Sequence, residues 1–276
     1  MKKIPKVINY MWFGKNPISK ETQKCIESWR KYLPDYKIIE WNESNFDINS
    51  CQYVKEAYSS KKWAFVSDYA RLVVLEQYGG LYFDTDMELI KPINDIVDNG
   101  SFINLEKTAE GTIMPAMSAI GAEPHLSLFQ ELIREYQSRH FILKDGELDE
   151  TPIGTFVYNF IKNENYILFD DRITTYQNVK FYPFQYFSPQ SYASGEIYIS
   201  NLTRGIHHYA ASWHTPQERK ATKIVQRMTA LFGKKVGKLS HKCVFGFYDT
   251  KQIFKNQGMI PTIKFIGKKI EGREDE

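Results

Sequence analysis

Two aspartates separated by one residue, Asp84 and Asp86, close a short apolar run, Leu81-Tyr82-Phe83, that follows the pair Gly79-Gly80. In an extended strand, residues two apart face the same side, so both carboxylates are expected to look into one space. Like charges that close repel. A divalent cation between them removes the repulsion and offers a Lewis acid to a diphosphate. Upstream, Asp68 and Arg71 are three apart on a helical pattern and share a face. That spacing reads either as a surface ion pair or, so near the double aspartate, as a carboxylate for sugar hydroxyls with a guanidinium bridging to it or to phosphate. Far downstream, in the stretch RGIHHYAASWH at 204–214, His207 and His208 are neighbours. Strand neighbours point to opposite faces, so only one of the two can face a given site. A neutral imidazole there would complete an oxygen and nitrogen shell begun by carboxylates; a hydrogen-bonded strand histidine is the structural alternative.

Elements that can position these groups are legible around them. Ile4 to Trp12 has the character of a first strand, Ser19 can cap a helix over 20–32, and Tyr36 to Trp41 reads as a second strand. This β-α-β opening belongs to a nucleotide-binding α/β sheet. Trp12 then lies at the carboxyl edge where such sheets bind ligands, free to stack on a base unless it belongs to the core. A short helix near 51–59 precedes the helix marked by Phe65, Tyr69, Leu72, Val73 and Leu75, which the glycine pair stops. Strands are expected at 87–93, 102–105, 116–122, 166–169 and 179–184, and helices at 126–138 and from 151 to about 163, with an acidic surface loop at 143–150.

The totals admit one large domain or two modest ones: 276 residues, 42% hydrophobic, net charge +3. Charge is unevenly spread. Residues 1–215 hold 22 Lys/Arg against 27 Asp/Glu, while 216–276 hold 14 against 6. From residue 215 the apolar positions Ile224, Val225, Met228, Leu231 and Phe232 form a helical stripe among Arg219, Lys220, Lys223, Arg227, Lys234 and Lys235. Such a helix either packs on the domain with a solvated basic face or lies on an anionic membrane. Nucleic acid is disfavoured as a partner because no binding motif accompanies the charge. The three cysteines are scattered and form no zinc pattern, and no signal peptide or membrane span is expected, which together point to a cytoplasmic protein. The expected domains are 1–215, catalytic, and 216–276, a basic amphipathic extension.

Four stretches in order carry a family resemblance: Ile4-Pro5-Lys6 with Trp12-Phe13-Gly14, Ser67-Asp68-Tyr69-Ala70-Arg71, Gly79 to Asp86, and His207 to Trp213. Over about 4–214 the chain resembles bacterial members of glycosyltransferase family 32, the capsular-polysaccharide and initiation-mannosyltransferase-like group. In its core it is similar to the glucosylating clostridial toxins. The resemblance implies a GT-A, Rossmann-like α/β fold with a mixed central sheet, here with a helical C-terminal extension. It also implies a reaction that needs Mn2+ or Mg2+ and retains anomeric configuration.

By position, Asp84, Asp86, Asp68 and Arg71 form the implied catalytic set, with Asp68 and Arg71 on the donor sugar. Asp86 is the direct metal ligand, Asp84 supports it, and His208 stands where the toxins place a metal-binding glutamate. Trp12, Tyr82, Ser67, Ser212 and Trp213 are the implied donor-binding residues, Trp12 on the nucleobase and Trp213 over the diphosphate. Ala211 departs from the toxins' metal-contacting serine, leaving Ser212 or water to substitute, and Thr151-Pro152 departs from the usual Thr-Gly-Pro.

The expected function is therefore transfer of a hexose from a nucleotide-sugar, UDP-hexose favoured, to a saccharide or lipid-linked saccharide in surface-glycan synthesis. The basic segment is a candidate for peripheral membrane contact. A GDP-mannose-dependent mannosyltransferase and a non-catalytic nucleotide-sugar-binding relic are the alternatives. An aspartate-nucleophile phosphatase also uses Asp-x-Asp, but its loop begins near the N-terminus and continues to a small hydroxylic residue, whereas Glu88 follows here.

Overall fold

A computed structural model describes residues 3–165, 169–210 and 216–257. In chain order the elements are β1 (Val7–Met11), α1 (Lys20–Tyr32), β2 (Lys37–Trp41), α2 (Gln52–Ser59), α3 (Trp63–Tyr78), β3 (Gly80–Phe83), β4 (Met87–Leu89), α4 (Asn94–Val97), β5 (Phe102–Lys107) and β6 (Ile113–Ala122). They continue with α5 (Ser127–Ser138), α6 (Ile153–Asn165), β7 (Thr174–Tyr176), β8 (Val179–Tyr182), β9 (Gly205–His207) and α7 (Pro216–Gln257). Two compact units result, Met1–Ser191 with Ile197–Trp213, and Tyr192–Glu196 with His214–Glu276.

The first unit is α/β with a seven-stranded mixed sheet in the order β2-β1-β3-β6-β5-β8-β7. β1 is parallel to both β2 and β3, whereas β6 runs antiparallel to β3 and β5. The expected class, with a mixed central sheet and a helical C-terminal segment, is therefore present. Two buried clusters flank the sheet, one containing α3 residues Phe65, Tyr69 and Leu72, the other containing α1 residues Cys25, Ile26 and Trp29. Helices on both faces explain why β3 is buried along its whole length and reads as a continuous apolar run.

The glycine pair has a double role. Gly79 (φ 66°) ends α3 with its N–H on the Leu75 carbonyl. Gly80 (φ 101°) brings β3 so close to β1 that a Cβ would meet the Val7 carbonyl at 2.8 Å. Asn9, buried in β1, donates its Nδ2 to the carbonyls of Gly79 and Leu81 at 3.2 and 3.1 Å, and its Oδ1 accepts from Trp41 Nε1. One side chain thus ties β3 to its parallel neighbours.

Several expected boundaries shift. The expected strand at 87–93 stops at Leu89 and pairs with β9 outside the main sheet. β6 is longer than expected, and β7 was not expected at all: a three-residue edge strand, joined to β8 through Gln177 and Asn178, both at positive φ, gives little periodic signal. The strand expected at 166–169 falls largely outside the described residues. The loop expected at 143–150 contains a bridge between Ile142 and Leu148 that folds it into a hairpin.

Candidate active site

β3 ends at Phe83, three residues earlier than a strand carrying both aspartates would require. Asp84 donates its backbone N–H to the Ser118 carbonyl of β6 at 2.9 Å, and Met87 N–H returns to the Asp84 carbonyl at 2.9 Å. Asp84-Thr85-Asp86 is therefore a tight turn between β3 and β4. The carboxylates converge because of this turn, where strand alternation was the expected cause.

A histidine reaches them from β9. Met87 of β4 is the register partner of His207, and α1 holds β4 in place: Trp29 Nε1 donates to the Met87 carbonyl at 2.6 Å, and Leu89 N–H donates to Ser28 Oγ at 2.9 Å. His207 Nε2 lies 3.4 Å from Asp86 Oδ1 and 3.8 Å from Asp84 Oδ2. One ligand atom from each of the three residues lies within 4.8 Å of the others.

His208, the expected ligand, is placed elsewhere. Its Nε2 meets Glu88 Oε2 at 2.8 Å, on the exposed side of the same two-stranded ribbon. Sequence reasoning correctly required that one histidine of the pair face away, and chose the other. The chain past β9 then wraps Asp86: His208 N–H donates to its carbonyl, and Ala210 N–H donates to its Oδ2 at 2.7 Å.

Electrostatics bind this triad. Burial would raise Asp86, but the adjacent His207 and the Ala210 N–H outweigh it and hold the carboxyl well below its ordinary value. Burial would lower His207, but Asp86 outweighs it and the imidazole is raised. Asp86 and His207 form a partly buried ion pair. Glu106 of β5, partly buried, faces them electrostatically; burial raises its carboxyl, against the pull of His207 and a hydrogen bond from Tyr209. The ring of Tyr209 (φ 48°) lies 4.3 Å from that of His207. Neither Glu106 nor Tyr209 was singled out from the sequence, where an isolated acidic residue at a strand end carries no periodic signal.

Arg71 is a buried hub. Its Nη2 donates to Asp68 Oδ1 at 2.7 Å; its Nη1 donates to the Met117 carbonyl at 2.8 Å and also lies 3.2 Å from Asp84 Oδ1. Its guanidinium stacks over Tyr82 at 4.6 Å, and Tyr82 donates its hydroxyl to the same Asp84 oxygen at 2.5 Å. Asp68 and Arg71 are 6% and 5% exposed, which excludes a surface ion pair. Burial raises the Asp68 carboxyl to about 6 against the lowering effect of Arg71.

Met117 (φ 60°) holds a conformation unfavourable for a non-glycine residue, turning its carbonyl to Arg71. Asn104 fills the adjacent β-bulge, accepting from the backbone of Ser118 and Ala119. Ser67, expected among the donor-binding residues, turns its Oγ to the Trp63 carbonyl of its own helix. Ser212 and Trp213 lie outside the described residues.

Trp12 occupies the same sheet edge. The parallel register pairs Asn9 with Tyr82, so Trp12, three residues on from Asn9, follows the direction that leads β3 to Asp84. Its Nε1 donates to the Asn16 carbonyl at 2.6 Å. The ring lines a cleft of about 480 Å³ with Lys15, Asn16, Glu40, Asn42 and Ser44.

Residues 19–103 match the family described as "Glycosyltransferase sugar-binding region containing DXD motif". Over 114 residues the chain is 30% identical to "Inositol phosphoceramide mannosyltransferase 1" of Schizosaccharomyces pombe, covering 37% of this chain and 34% of that protein. Over 179 residues it is 26% identical to "Uncharacterized glycosyltransferase L373" of Acanthamoeba polyphaga mimivirus, covering 63% and 66%. The chain thus spans less than two thirds of either relative. The solved structure titled "PaToxG Glycosyltransferase" aligns with 60% of this chain and 71% of that one, at 18% identity and a TM-score of 0.46, a likeness too slight to argue from. The segment that holds Asp68, Arg71, Asp84 and Asp86 is thus similar to a glycosyltransferase DXD sugar-binding region, as the resemblance read from the motifs implies.

Proposed function

We propose that this chain, carrying a glycosyltransferase DXD sugar-binding region, is a metal-dependent glycosyltransferase that moves a hexose from a nucleotide-sugar to a saccharide acceptor. The observation that carries the reading is the meeting of Asp84, Asp86 and His207 just past the carboxyl end of β3.

The donor set fits a six-coordinate Mn2+ or Mg2+. Adjacent ligands about 2.1 Å from one ion stand roughly 3 Å apart and opposite ones roughly 4.2 Å apart. The observed 3.4 and 3.8 Å separations require only small adjustment. An imidazole in the set favours Mn2+. Asp86 and His207 supply the direct ligands, together with the Asp84 oxygen that Arg71 and Tyr82 leave open. When bound, the cation stabilises the charge that develops on the departing diphosphate.

The chain's own residues do the rest. Arg71 and Tyr82 fix Asp84; Ala210 N–H and β9 fix Asp86; Trp12 offers a ring to the nucleobase. UDP-hexose is the favoured donor. Retention follows, in this reading, from front-face displacement: the acceptor oxygen bonds to the anomeric carbon on the side the diphosphate leaves, and the departing phosphate oxygen takes the acceptor's proton. Residues 1–215 form the catalytic domain, 216–276 a basic extension, in a cytoplasmic protein of surface-glycan synthesis.

A second reading, a GDP-mannose donor, draws support from the printed name of the fission-yeast relative, of which the chain spans about a third. Metal-dependent hydrolysis across a panel of UDP-hexoses and GDP-mannose separates them. Turnover of a UDP-hexose supports the first reading and of GDP-mannose alone the second, whereas binding without turnover of any donor indicates a non-catalytic relic.

A further inference from the structure

α7 leaves exposed several large apolar residues of the kind that a helix packed on protein would bury. In its first arm, before the break at Gly233 (φ 81°, ψ 173°), Ala221 is fully buried and Thr229 nearly so, eight residues apart on one side. Next to them, Ile224 and Leu231, seven apart on one stripe, are 46% and 73% exposed, and Phe232 is 62% exposed at the end of the arm. Lys220 lies four residues before Ile224, Arg227 three after it and four before Leu231, and Lys223 adjoins Ile224; all three are exposed, so cations border the stripe. The second arm repeats the arrangement with exposed Lys235 and Leu239 four apart.

Residues 216–257 contain ten Lys/Arg and two acidic residues. No helix among the described residues is long and apolar enough to cross a membrane. An apolar stripe edged by cations suits a helix lying in the plane of a charged interface.

We propose that this face of α7 docks the protein on an anionic bilayer surface. Ile224, Leu231 and Phe232 enter the acyl boundary, and Lys220, Lys223 and Arg227 meet lipid phosphates. Charge selects the occupant. A second copy would set the same cations against one another, and a nucleic acid would satisfy the lysines but leave Leu231 in water.

The test is flotation of the full chain with vesicles of phosphatidylcholine containing roughly one third phosphatidylglycerol, against phosphatidylcholine alone. The protein is expected to float with the anionic vesicles only. Leu231→Glu is expected to weaken partitioning at least about tenfold. Combined Lys220→Glu, Lys223→Glu and Arg227→Glu should weaken it on the order of 100-fold. All four side chains are exposed, so melting temperatures should stay at the wild-type value, which separates lost docking from lost folding. Three results overturn the proposal: wild-type protein that floats with neither vesicle or equally with both, Leu231→Glu that floats like wild type while duplex DNA displaces both, or a Leu231-dependent dimer in sedimentation without vesicles.

Discussion

His207 Nε2 stands 3.4 Å from Asp86 Oδ1 because Met87, the residue after that aspartate, is the register partner of His207 across the β4–β9 ribbon. The site's geometry is thus set by a two-stranded ribbon clamped under α1, outside the main sheet. His207→Ala is expected to lower Mn2+ affinity by about 10- to 100-fold, whereas His208→Ala, which removes a partner of Glu88, leaves it within about threefold. Titration calorimetry with Mn2+ in the presence of UDP reads both. Equal losses in the two variants would mean that the ribbon register does not select the ligand.

Arg71 joins Asp68 to Asp84 inside the protein. Arg71→Met leaves two carboxylates without their guanidinium and is expected to cost about 3–5 kcal/mol in urea unfolding. A cost under about 1 kcal/mol, the size of an exposed pair, would contradict the hub.

Glu56 of α2 accepts from Phe141 N–H and Ile142 N–H at 2.7 and 3.0 Å, pinning the hairpin that begins after α5. Burial would raise its carboxyl, but these bonds and those from Gln52 and His140 outweigh it and hold it at about 2. A carboxyl lowered in the folded state contributes stability above its ordinary value of 4.5 and loses it as pH falls toward 2. Wild type should therefore exceed Glu56→Gln by about 1–2 kcal/mol at neutral pH, and the gap should close below pH 4.5. Urea midpoints across that range test the sign; a gap that widens on acidification contradicts it.

The reach of the sequence can be followed residue by residue. β1, α1, β2, α3 and β3 are legible because Val7, Trp29 and Leu72 recur at the periods of their elements and Gly79-Gly80 punctuates them. Asp84 and Asp86 stand out by spacing alone. The choice between His207 and His208 was not legible, because it depends on which residue of β4 pairs with β9 across more than a hundred residues. Met117 and Glu106 were hidden for a similar reason: backbone strain and partial burial facing His207 arise from tertiary packing, which no local pattern encodes. The stripe at Ile224 and Leu231 was visible, but its exposure is evident only in the structure.

The most direct measurement is release of hexose from UDP-hexose by wild type and Asp86→Asn at saturating Mn2+, with both checked for equal folding. Loss of at least about 1,000-fold in Asp86→Asn, together with loss of wild-type activity on chelation, is the predicted result. Metal-independent turnover, or turnover in Asp86→Asn within about tenfold of wild type, would contradict a cation held by Asp84, Asp86 and His207.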